Sequence, residues 1–259
     1  MIQHISLCGV ITILWLSFFG CMPVVQHQVV FEEDFDKGRL DQSRWEVTMD
    51  GDFAEAAVDV VDVDPGKDID YRLRLRANTI GMSDPLKFLG VRSRNTIDFD
   101  NLKAIKFDLD WNNQINGCYL TASLYLCPTV SSNPREESNW LKFEYVGVPP
   151  GRNVRISIWE KVDGAVHTLH TDWGPRDDQG RPLGKPLGLA SQRISIHLDK
   201  SSIRVVQDNE EIYPSSKHNL NFTTAHIYLQ MSSGTNYPSR EIYFDNITVR
   251  SVSLATQSP

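Results

Sequence analysis

The chain has 259 residues, of which 41% are hydrophobic and 23% charged, with a formal net charge of −7 at pH 7. That is ordinary globular composition and enough chain for a sizeable core, and all-β sandwiches of about 200 to 250 residues commonly form one domain. No Lys/Arg cluster of the kind that follows a phosphate backbone occurs, which argues against nucleic acid as a partner.

The first element is an apolar run from Ile5 to Gly20. It is shorter than the roughly 20 residues a membrane-spanning helix needs and suits the apolar centre of an export signal. Residues 1–28 are therefore set apart from the fold, and an exported, extracellular or periplasmic protein is expected. Gly20-Cys21 resembles the end of a bacterial lipobox, which implies a lipid on Cys21 and a membrane tether; plain cleavage before Gln28 and an uncleaved anchor stay open. Of the other cysteines, Cys8 lies in the same segment. Cys118 and Cys127 on one continuous strand would sit about 30 Å apart on opposite faces, beyond reach of a disulfide.

Period-two alternation then recurs along the chain. It predicts strands over 58–63, 71–77, 89–94, 104–111, 119–127, 140–146, 154–161, 166–170, 193–198, 203–207, 225–231 and 240–250. Turn chemistry separates several of them: Asp64-Pro65-Gly66, Asn116-Gly117, Pro149-Pro150-Gly151, Asp163-Gly164 and Asp208-Asn209-Glu210. No helical periodicity competes, so the fold class expected is all-β, two packed antiparallel sheets. Thr171 to Gly188 is a long Gly/Pro-containing stretch, of a length that often serves as a binding loop.

The two ends carry a family resemblance. Phe31-Glu32-Glu33-Asp34-Phe35-Asp36, a turn at Gly38 and then Trp45 resemble the opening strand of the concanavalin A-like jelly rolls, the laminin-G and family-sixteen glycoside hydrolase group. Phe244-Asp245-Asn246-Ile247 resembles their closing strand. The resemblance implies one jelly-roll domain over 29–252, followed by a disordered tail at 253–259, and a curved sheet presented to a poly- or oligosaccharide. It also implies a structural calcium at Asp245, with oxygen from Asp34 or Asp36; no other cofactor is expected.

Candidate ligand-binding residues come from the strand faces opposite the apolar ones. They are Trp140, Lys142 and Glu144; Trp159; His197; and His226, Tyr228 and Gln230. Trp173, Asn236, Tyr237 and Arg240 are added as rim residues. Rings stack on the apolar faces of pyranoses while amides, hydroxyls and charged groups bond sugar hydroxyls.

Family-sixteen hydrolases carry Glu-x-Asp-x-Glu, or a form one residue longer, on a concave strand, placing acid and nucleophile on one face. That motif is absent from the sequence. Asp108 and Asp110, with Asn112, share a face but lack the Glu residues. The leading reading is an exported glycan-binding protein without a catalytic dyad. A hydrolase or polysaccharide lyase using Glu144, or a His with Tyr228, stays open, as does a surface adhesion domain contacting another protein through the 171–188 loop.

Overall fold

The computed structural model describes residues 25–83, 86–98, 100–112, 120–147, 155–172, 192–207 and 209–254. Cys21, Cys118 and Trp173 lie outside these residues. The strands are β1 (Val25–Glu33), β2 (Trp45–Asp50), β3 (Glu55–Asp62), β4 (Tyr71–Asn78), β5 (Lys87–Ser93), β6 (Ile97–Asp98), β7 (Leu102–Asn112) and β8 (Leu120–Cys127). There follow β9 (Trp140–Gly147), β10 (Arg155–Val162), β11 (Ala165–Asp172), β12 (Gln192–Leu198), β13 (Ser202–Gln207), β14 (Glu210–Lys217), β15 (Thr224–Ser233) and β16 (Arg240–Leu254). Among the described residues the one helical element is a short 3-10 turn, Pro134–Glu136.

The strands form two antiparallel sheets. The first runs β14-β13-β12-β7-β16-β4-β3 with β1 also on β16, and the second runs β11-β10-β9-β8-β15-β5-β2 with β6 on β15. The all-β jelly-roll sandwich expected from the sequence is the fold observed. Four strands lie outside the alternation reading: β1, which the opening motif supplied, β2, the two-residue β6, and β14, which contains Pro214. Proline cannot donate to a ladder, and it is tolerated here because β14 is the edge of its sheet.

The two end motifs meet. Phe31 pairs with Val249 and Glu33 with Ile247, so the first and last strands are neighbours. This ladder begins at Val25 and ends at Leu254, a few residues beyond the limits 29 and 252 expected at each end. Phe31 meets the Trp45 ring edge-on at 5.4 Å, and Phe35 lies 6.4 Å from it. The Trp45 indole N–H donates to Glu33 Oε2 at 3.1 Å, which satisfies the polar atom of a fully buried ring. The opening motif is thus a packing device that seals one end of the core.

Between the sheets, Phe107 of the first meets Phe143 of the second edge-on at 6.1 Å, and Phe244 packs on Phe107 at 6.2 Å. All three are buried. Truncating any of them to Ala would cost about 3–5 kcal/mol through lost transfer energy and a cavity. Turn residues behave as their chemistry requires: Asp163 and Gly164 both have positive φ, 50° and 86°, in the two-residue turn joining β10 to β11.

Candidate functional site: the outer face of the second sheet

Alternation places Leu124, Phe143, Ile158 and Leu229 toward the core and their neighbours outward. Strand order makes the outward residues contiguous. Tyr228 stands beside Tyr125, Tyr125 beside Lys142, and Lys142 beside Trp159. One step along, Gln230, Ser123, Glu144 and Ser157 form a second cross-strand row. Residues scattered over a hundred positions of sequence thereby become one surface.

Part of that surface is roofed by residues 128–139. The Tyr228 hydroxyl donates to the Thr129 carbonyl at 2.8 Å and accepts from the Ser131 amide at 3.0 Å. Asn133 Nδ2 reaches across to Asp50 Oδ2 on β2, 2.8 Å away. Beneath the roof, Tyr125, Cys127, Trp140 and Tyr228 form a small aromatic cluster with Trp159 packed on its side. Tyr228 is 0% exposed, and burial pushes its phenol up to about 12. Burial also raises the Cys127 thiol, which marks a packed and unreactive cysteine.

Beside the roof the face opens into a cleft of about 490 Å³. Trp140, Lys142, Glu144 and Trp159 line it, with Thr121 and Ser232 adding hydroxyls and Phe88, Arg135 and Lys161 forming part of its walls. Trp159 is the half-buried ring; Trp140, 4% exposed, braces the wall, its indole N–H donating to the Arg135 carbonyl at 3.2 Å. Lys142 and Glu144 form an ion pair, and the Lys142 ammonium also stands 5.5 Å over the Tyr125 ring. Next to the cleft, Gln230 Nε2 and Thr48 Oγ1 are buried without a hydrogen-bond partner among the described residues. They flank Gly90 in the same cross-strand row.

The other expected site residues lie elsewhere. His197 belongs to β12 of the opposite sheet, beside Lys103 and Arg204, where burial first and those cations second lower its pKa. Alternation had identified its face correctly but not its sheet. His226 and Tyr228 are in the right sheet yet covered: His226 Nδ1 donates to the Ser93 carbonyl at 2.7 Å, and burial lowers its pKa. Arg240 is 3% exposed and shares the inward side of β16 with Ile242 and Phe244, its guanidinium 5.3 Å from the Tyr237 ring. Asn236 and Tyr237 are engaged with the β4–β5 connection, the Asn236 amide donating to Thr79 O and the Thr79 amide to Tyr237 O, each at 2.8 Å. Neither lines the cleft.

Of the cleft residues missed, Lys161 is two positions beyond Trp159 and Phe88 is one position before the expected strand start, so the alternation already carried both. Arg135 sits in irregular chain, where no periodicity could reveal it.

The residues named for the implied calcium, Asp36 and Asp245, are not joined by further acidic or imidazole side chains among the described residues. Calcium takes six to eight hard oxygens. Among the described residues no three His, Cys, Asp or Glu side chains converge on a point that could hold a metal. Asp36 is exposed, its amide donating to Asp34 Oδ1 at 3.1 Å. Asp245 lies on the outer face of the first sheet, where Oδ2 accepts from Asn246 at 2.8 Å. Its neighbour Asp108 is held by Arg193 through bonds of 2.9 and 3.1 Å, a structural ion pair far from the cleft.

No family model matches the chain, and no curated protein is detectably similar in sequence. Solved structures are. The chain is similar to the catalytic domain of an endo-1,3-β-glucanase (laminarinase) from Thermotoga petrophila RKU-1, with TM-score 0.58 and 15% identity over 88% of this chain and 99% of that one. It is similar to the β-glucanase of Bacillus licheniformis, with TM-score 0.54 and 11% identity over 85% and 96%. A GlcNAcα1-4Gal-releasing endo-β-galactosidase from Clostridium perfringens gives TM-score 0.57 and 10% identity over 90% and 64%. The chain therefore has the concanavalin A-like jelly-roll fold.

Proposed function

We propose that the outer face of the second sheet binds a poly- or oligosaccharide and holds it without cleaving it. The observation that carries this reading is the cleft itself: the half-buried Trp159 ring stands beside an ion-paired Lys142 and Glu144, with the Thr121 and Ser232 hydroxyls in the same wall. A ring to stack on and polar groups to bond hydroxyls are what a pyranose needs. The names of the similar structures supply a carbohydrate context, since they describe enzymes acting on glucans and galactosides.

Binding is favoured over cleavage by the state of the groups a reaction would use. Glycoside hydrolysis takes two carboxyl groups flanking the bond, one of them protonated. Glu144 is committed to Lys142 as a carboxylate, and the other carboxylate of the cleft, Glu136, belongs to the roofing segment. Tyr228, the partner a His-based alternative would need, has its hydroxyl consumed by Thr129 and Ser131. Export through residues 1–28, and a tether through Cys21, complete the proposal by placing the protein where polysaccharides are met.

The test is a glycan and polysaccharide array, with mass spectrometry of every bound sample for shortened or unsaturated products. Binding without products is expected. Products lost on Glu144→Gln would establish the hydrolase or lyase instead, and absence of binding to any glycan would overturn the reading.

A further inference from the structure

The cleft is electropositive at its mouth although the whole chain carries −7. Among the described residues the titratable groups facing it are Arg135, Glu136, Lys142, Glu144 and Lys161. Lys142 and Glu144 neutralise one another. The Lys161 ammonium donates to two backbone carbonyls, Arg135 O at 3.2 Å and Glu136 O at 3.5 Å, which position it without cancelling its charge. The Arg135 guanidinium is exposed and stands 5.9 Å over the Phe88 ring, which likewise orients it and leaves its charge intact. Neither cation has a carboxylate partner among the described residues; opposing them is the exposed Glu136 alone.

Geometry relates these cations to the stacking ring. Lys161 follows Trp159 on the same face of β10, two strand residues or about 6.6 Å further along. The Trp140 indole and the Lys161 ammonium hold the Arg135 carbonyl together, so the loop that carries the guanidinium is fixed to the strand that carries the ring. A sugar lying on Trp159 would present its substituents to cations fixed in position beforehand. Charge-assisted bonds from fixed cations to carboxylate or sulfate oxygens are about twice as strong as neutral ones.

We infer that the saccharide this cleft takes is anionic, bearing carboxylate or sulfate-ester groups that Arg135 and Lys161 receive while Trp159 holds the ring. The inference rests on the glycan-binding reading above and narrows its ligand class.

The experiment measures calorimetric affinity of the protein, at low and high salt, for an oligogalacturonate, a sulfated galactan oligosaccharide and a neutral β-glucan oligosaccharide. One or both anionic ligands should bind more tightly than the neutral one, with affinity falling as salt rises; the better of the two identifies carboxylate or sulfate as the group read. Arg135→Gln with Lys161→Gln should weaken the anionic ligand by about tenfold and flatten its salt dependence, with a smaller effect on the neutral ligand. Arg135→Gln alone changes an exposed side chain, so it keeps the test open if the double variant folds poorly, and Lys161→Arg should restore binding. Equal or tighter, salt-insensitive binding of the neutral glucan would overturn the inference and leave the glycan reading standing. No binding of any of the three, together with a silent array, would overturn both.

Discussion

The Lys142 ammonium rests against the Glu144 carboxylate two residues along the same face of β9, and Glu144 is only 8% exposed. The pair is therefore a structural commitment as well as a feature of the cleft. Removing the cation leaves a carboxylate largely out of water with its charge uncompensated, a loss that reaches about 3–5 kcal/mol in fully buried pairs. The open cleft admits some water, so Lys142→Met should cost about 1–3 kcal/mol in urea melts. The double variant Lys142→Met, Glu144→Leu should recover most of that loss. If the single variant were neutral, the pair would be solvent-screened and its place in the binding argument lost.

The two tryptophans of the cleft should separate by experiment. Trp159 is half-buried and lines the cleft, whereas Trp140 is enclosed and bonded to the Arg135 carbonyl. Trp159→Ala should weaken glycan binding by about 1–3 kcal/mol, in the range of an interface anchor, with a smaller effect on stability. Trp140→Ala should cost about 3–5 kcal/mol of stability, as buried aromatics do. Calorimetry and urea melts on both variants check the division; equal loss of binding and of stability in each would deny Trp159 a ligand role.

These residues also mark what the sequence could and could not reveal. Strand periodicity and turn residues follow from local sterics, so most strands and the all-β class were legible; the jelly-roll expectation came from the resemblance of the two end motifs, and alternation put Trp140, Lys142, Glu144 and Trp159 on a common kind of face without showing that their strands are neighbours. Alternation reports a face, however, and not which sheet the strand joins; that is how His197 was assigned to the wrong side of the molecule. Nor does it report what folds over a face. Tyr228 alternates correctly, and it is removed from any ligand by the 128–139 segment, whose path depends on long-range bonds such as Asn133 to Asp50. Arg240 failed for the opposite reason: it occupies an inward position at a strand end where an apolar residue would be the usual choice.

Tyr228→Phe tests the roof. Its hydroxyl joins one carbonyl and one amide, so removal leaves two backbone groups of 128–139 short of a partner and should cost about 1–2 kcal/mol. Because the folded phenol titrates at about 12 against an ordinary 10, the native state holds its proton longer than the unfolded chain. Stability from this group is complete below pH 10 and falls as pH rises from 10 toward 12, and Tyr228→Phe should reduce that fall. Glycan affinity should stay within about twofold of the parent, since a residue this buried meets no ligand; a larger loss would mean that the roof opens on binding.

Asp245 supplies the last prediction. It is 8% exposed, its Oδ1 has no hydrogen-bond partner among the described residues, and burial, with smaller contributions from the charges of Asp70 and Asp108, raises its pKa from 3.8 to about 7. Between those values the native state binds a proton that the unfolded chain has released. Stability should therefore fall as pH rises from about 4 to about 7, by up to about 4 kcal/mol at roughly 1.4 kcal/mol per unit. Asp245→Asn removes the charge and keeps an oxygen for the Asn246 amide. The variant should be more stable than the parent by about 2–4 kcal/mol at pH 8, with a flatter profile through the same window, and chelation should leave both melts unchanged. A variant that is instead destabilised at pH 8, and a parent whose melting temperature drops on adding EDTA, would mean that Asp245 holds a cation with oxygens beyond those described and that its carboxylate is the stabilising form.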